Sequence, residues 1–101
     1  MTINRDMVYA ISDDVVAREI EGEIIIVPLA AGIGDLEDDI YTLNETGKAI
    51  WDRLDGRRTL SEVISKLSAL FQAEEGEIAA DVLGLVEELA RRRMVVAIPP
   101  A

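Results

Sequence analysis

The chain contains neither cysteine nor histidine, and it carries only one Trp, two Tyr and one Phe. Without Cys there can be no disulfide, thiolate metal site or cysteine nucleophile. Without His the commonest acid–base group and the commonest metal ligand are both missing. Positive charge is scarce as well: 10 Lys+Arg stand against 20 Asp+Glu, a formal net charge of -10 at pH 7. Affinity for phosphate backbones comes mostly from Lys and Arg, so this balance argues against a nucleic-acid binder. It argues equally against docking on an anionic membrane surface. Long apolar runs are lacking. The longest, Ile24 to Ala31, is interrupted by Pro28 and falls far short of the roughly 20 residues that span a bilayer. Residues 1–12 hold no long apolar stretch of the signal-peptide kind. The expectation is one soluble, cytoplasmic domain, since 101 residues suffice for a modest core without staples.

What is present divides near residue 44. Residues 1–43 hold ten acids and two bases, whereas residues 44–101 hold ten acids and eight bases. The first part has short β-branched runs and the second has helical periodicity. Val15 to Ile20 and Glu23 to Val27 flank Glu21-Gly22, which reads as a hairpin. The Ile-rich second run is apolar on both faces and therefore central in its sheet. Residues 30–39 are small, Gly-containing and acidic, a loop. Ile40-Tyr41-Thr42-Leu43 reads as a third strand, which completes an antiparallel meander.

Asn44 is the N-cap of a first helix carrying Ala49, Ile50, Trp51 and Leu54 on one stripe, and Asp55-Gly56 stops it. Thr59-Leu60-Ser61-Glu62 is a capping box that opens a second helix, with Val63, Ile64, Leu67, Leu70 and Phe71 at helical spacing. A third helix runs from about Glu77 to Arg93, with its acids toward the start and Arg91-Arg92-Arg93 at the end, as the helix dipole favours. Met94 to Ile98 forms a terminal strand. Three strands followed by three helices give an α+β fold. The helix pair joined by Asp55-Gly56-Arg57-Arg58, with a third helix after it, looks winged helix-turn-helix-like.

Chemistry-bearing constellations are few. Asp35-Leu36-Glu37-Asp38-Asp39 lacks the ligand pattern of an EF-hand and reads as a solvated loop. Arg57-Arg58 and Arg91-Arg92-Arg93 are the basic clusters, and helix-end complementarity accounts for them better than phosphate contacts do. Ser12, Ser61, Ser65 and Ser68 have no His partner, and Gly32-Ile33-Gly34 lacks the rest of a phosphate loop. Trp51 sits on an apolar stripe and belongs in the core. The third helix is more informative. Ile78, Ala79, Val82, Leu83, Leu85, Val86, Leu89 and Ala90 cover an arc of roughly 160° at about 100° per residue, more than a one-sided helix needs. The edge made of Ala79, Leu83, Val86 and Ala90 is small enough to face a groove. If strand 40–43 is the sheet edge beside it, an extended peptide could add there as a fourth strand.

The assembled segments resemble the PqqD-like family, the peptide-recognition domains of ribosomal peptide modification pathways. The matching blocks are Ser12 to Glu19, Tyr41-Thr42-Leu43-Asn44-Glu45-Thr46-Gly47-Lys48-Ala49-Ile50-Trp51, Leu54 to Thr59 with Glu62-Val63, and Ala80-Asp81-Val82 with Leu85 and Leu89. They span residues 12 to about 94, one domain. The resemblance implies a winged-helix-like fold without DNA binding. It implies capture of the leader of a precursor peptide as a strand and its presentation to a modifying enzyme, such as a radical SAM or lasso-type maturase. Carried over, it makes Ile40, Tyr41, Thr42 and Leu43 the pairing strand and Ala79, Val82, Leu83, Val86 and Ala90 the helix wall. It implies no catalytic residue, cofactor or metal. Asn44-Glu45-Thr46-Gly47 reads as fold rather than site, through an N-cap and a tight helix–sheet approach. The acidic loop 35–39 would favour leaders with Lys or Arg near that end. The alternative is a winged-helix DNA-binding transcription regulator, and a third reading is a structural subunit that docks on an enzyme. A free edge strand also leaves a homodimer open.

Overall fold

The computed structural model describes residues 3–29 and 40–99. In chain order the elements are β1 (Val8–Ile11), β2 (Val15–Ile20), β3 (Glu23–Pro28), β4 (Tyr41–Leu43), α1 (Glu45–Trp51), β5 (Asp55–Thr59), α2 (Leu60–Phe71), α3 (Glu75–Arg91) and β6 (Val95–Ile98). The meander is present as a three-stranded antiparallel sheet in the order β2-β3-β4. Its hairpin turns at Glu21 (φ 52) and Gly22 (φ 83), with Ile20 paired to Glu23. Two successive positive φ values are what a tight two-residue hairpin demands, and Gly supplies one without strain. Ile24 and Ile26 are buried on the inner face of β3.

The structure adds a second three-stranded sheet, in the order β5-β1-β6. Asp55-Gly56-Arg57-Arg58-Thr59, expected as a helix stop and turn, is instead a strand. It pairs with β1, with a register shift between Val8↔Thr59 and Ala10↔Asp55. The terminal strand is found and pairs antiparallel to β1, Val8 with Ile98 through Ile11 with Val95. Ser12 joins the two sheets. It is buried, donates its backbone N–H to Met94 O (3.0 Å) and accepts from Asp14 N through Oγ (3.1 Å), a turn that Ser favours for this reason.

The helices follow from their caps. Asn44 accepts from Gly47 N at 2.9 Å. Thr59 Oγ1 accepts from Glu62 N, and Glu62 in turn accepts from Thr59 N, the reciprocal pair of a capping box. α1 ends at Trp51, three residues before Leu54. The core lies between the helices and the two sheets and includes Tyr9, Leu60, Ile64, Leu67, Val82, Leu89 and Met94, each at most 2 % exposed, with Trp51 at 4 %.

Candidate functional site

β4 pairs with β3 on one side and stands at the edge of its sheet. Its alternation is clear: Leu43 is buried, Tyr41 half-buried and Thr42 exposed, while Ile40 just before it is also exposed. Tyr41 and Leu43 thus face the helices and Thr42 faces away, as the period of two requires. Beside this strand is a cleft of about 460 Å³ bordered by Tyr41 to Asn44, by Glu23, by Thr46, Gly47 and Ile50 of α1, and by Asp81 and Leu85 of α3. Arg92 does not line the cleft, but its guanidinium lies 4.9 Å from the centre of the Tyr41 ring, within cation–π range. Arg92 is held there by Glu88, its Nε donating to Oε2 at 3.1 Å. Asp81, Leu85, Glu88 and Arg92 recur at intervals of four, three and four, one face of a helix. Gly47 explains how α1 comes so close: a Cβ there would sit 3.0 Å from Leu43 Cβ and 3.2 Å from Leu43 Cδ2.

The helix face beside the cleft is not the one that hydrophobic periodicity singled out. Ala79, Val82 and Val86 are buried in the core, at 8 %, 0 % and 0 % exposure, and Leu83 and Ala90 are half-buried against it. The small-residue edge is covered by the chain's own core, so the wide apolar arc reflects packing against α2 and the sheets. Asp81 and Leu85, which line the cleft, stood within the family-like blocks but not in the expected wall. Arg92 stood in a run explained by the helix dipole alone. The signal that could have found them was the four-residue interval between Asp81 and Leu85 on the more polar flank of the stripe.

Among the described residues no three acidic side chains converge to hold a metal ion. The loop 35–39, with the charge preference expected of it, lies outside the described residues. No helix of the described residues is long and apolar enough to cross a membrane. A second cleft of about 630 Å³ lies on the β5-β1-β6 sheet, bordered by Met7, Val8, Gly56 and Ile98. No helix residue lines it, so it offers no wall beside a strand edge.

Comparison with known proteins decides the family. The model of coenzyme PQQ synthesis protein D matches residues 23–95. The chain belongs to the PqqD family. Two curated relatives are each called PqqA binding protein. That of Xanthomonas oryzae pv. oryzae (strain PXO99A) is 32 % identical over 56 residues, and that of Xanthomonas euvesicatoria pv. vesicatoria (strain 85-10) is 30 % identical over 56. The match takes in 55 % of this chain and spans 61 % of each relative's length. Two solved structures share the fold. TbiB1, solved in complex with the TbiA(beta) leader peptide, superposes with a TM-score of 0.72 at 20 % identity, over 90 % of this chain and 99 % of its own. The PqqD truncation of Methylobacterium extorquens PqqCD, described as a stand-alone recognition element for ribosomally synthesized and modified peptides, gives 0.73 at 22 % identity, over 94 % and 95 %. The PqqD-family fold here is therefore α+β, with the meander's last strand set at an edge beside the longest helix.

Proposed function

We propose that this PqqD-family chain is a non-catalytic peptide-binding module that captures the leader of a ribosomally made precursor by strand addition and presents it to a modifying enzyme. The observation that carries the reading is the edge of β4, which among the described residues pairs with β3 alone and stands against α3 across an open cleft. An added strand gains backbone hydrogen bonds from the edge, and its alternate side chains reach the helix wall. Ile40 to Leu43 supply the edge and the floor; Asp81, Leu85 and Arg92 supply the wall. Ala79, Val82 and Val86 act from behind, by fixing α3 on the core, and Leu83 and Ala90 flank them. The names of the curated relatives and the leader complex of TbiB1 support the same reading. The receiving enzyme, of radical SAM or lasso-maturase type, the cytoplasmic setting and any homodimer belong to this proposal. No observation favours DNA binding, and the net charge of -10 opposes it.

The test is a titration of 15N-labelled protein with the leader of the precursor peptide encoded beside its gene. Amide shifts gathered in residues 40–43 and along the Asp81–Leu85–Arg92 face are expected. An unchanged spectrum at saturating peptide rejects the reading for that peptide.

A further inference from the structure

The cleft beside β4 is electrically lopsided. At the Leu43–Asn44 end it is bordered by the carboxylate residues Asp81 and Glu23, and neither makes an ion pair among the described residues. Past the Tyr41 end, outside the cleft's lining, the Arg92 guanidinium lies over the Tyr41 ring, already neutralised by Glu88. Between the two ends lies an apolar middle made by Leu43, Ile50 and Leu85.

We infer that this groove selects its peptide by charge and position: it takes a Lys or Arg at the peptide residue beside Leu43 and offers no such partner at the residue beside Tyr41. The inference rests on the strand-addition reading and adds to it the substrate class and the register. Peptide residues beside Leu43 and beside Tyr41 are two apart, so both side chains point toward α3. A long cationic side chain at the first position reaches Asp81 with its stem lying on Leu85, the amphipathic arrangement that such side chains favour. At the second position it meets the Arg92–Glu88 pair, whose charges already balance, and gains no carboxylate partner there. Backbone pairing alone permits a strand to slide by two residues without changing faces. A single cation that finds a carboxylate at one position and none at the other biases that choice.

The test needs no known ligand. A display library of random ten-residue peptides is panned on the wild-type protein and on Asp81→Lys, and a selected peptide is then measured by titration and by amide shifts. Asp81 is exposed and makes no ion pair among the described residues, so the variants should fold, which a melting curve verifies. Wild-type selections should enrich Lys or Arg at one position and show no such enrichment two residues away. Asp81→Lys should convert that enrichment to Asp or Glu. A wild-type-selected peptide should bind Asp81→Asn about fivefold more weakly, the upper range for an exposed ion pair. Peptides that shift Tyr41–Leu43 but show no cationic position, or bind Asp81→Lys equally well, overturn the charge selection and leave strand addition standing. Selected peptides that leave Tyr41–Leu43 unmoved overturn both.

Discussion

Gly47 is where the local preference of one residue conflicts most openly with its surroundings. In an exposed helix, Gly→Ala would stabilise by about 1 kcal/mol. Here the added methyl meets Leu43 at 3.0 Å, and Leu43 is itself buried at 3 % exposure. The expected result for Gly47→Ala is a net destabilisation of about 1–3 kcal/mol, the usual range for an overpacked contact, measured by urea unfolding. The displaced strand should also lose peptide affinity, since Leu43 forms part of the groove floor. A second pair of residues makes stability depend on acid pH. Hydrogen bonds from the Thr59 backbone and hydroxyl hold the Glu62 carboxyl below its ordinary value of 4.5. Those from the Arg57 and Arg58 backbone, with the Arg58 charge, hold Asp55 below 3.8. In both cases the folded state prefers the carboxylate more strongly than the unfolded chain does. Their contribution is present above the ordinary values and fades as pH falls through the lowered ones. Stability should therefore begin to drop below about pH 4.5, and Glu62→Gln with Asp55→Asn should flatten that part of a melting-temperature profile.

On the proposed reading, the longest helix, α3, divides structure from recognition by face. Leu89 is fully buried, so Leu89→Ala should cost about 2–5 kcal/mol of stability. Leu85 is half-buried at the cleft. Leu85→Ala should cost less stability in the same melt and more affinity in a peptide titration; equal losses in both variants and both assays would mean that the faces are not distinct. The elements differed in how plainly the residues announced them. The hairpin, the N-cap at Asn44, the capping box at Thr59 and the terminal strand are local devices written within a few adjacent residues. β5 is not local. Asp55-Gly56-Arg57-Arg58-Thr59 carries turn and charge signals, and it becomes a strand because β1 supplies a partner from the other end of the chain. β1 itself is only four residues long and is equally dependent on distant partners. The burial of the expected helix wall has a related reason. An apolar arc counted along α3 cannot tell which flank the core will cover, and the core took the small-residue flank.

At the scale of the whole molecule, the net charge of -10 has two consequences. Self-repulsion of like charge works against the compact state. Raising NaCl from 0.01 M to 0.15 M shortens the screening length from about 30 Å to about 8 Å, so the melting temperature should rise by a few degrees. A fall would mean that the surface ion pairs, such as Arg5 with Glu75 at 2.8 Å, outweigh the repulsion. The same charge means that a gel-shift assay with duplex DNA at 0.15 M salt should show no retarded complex.

The arrangement β5-β1-β6 bears also on how the protein reaches its structure in time. The meander and the helix caps close over short stretches of chain and can form within microseconds of collapse. β1 cannot, because Val8 finds Ile98 only by closing a loop nearly as long as the chain itself, and such closures slow folding. β1 should be the last strand secured in refolding and the first released under stress. Until it is secured, two strands that lie on either side of it in the finished sheet, β5 and β6, stand open to any other chain that offers an edge.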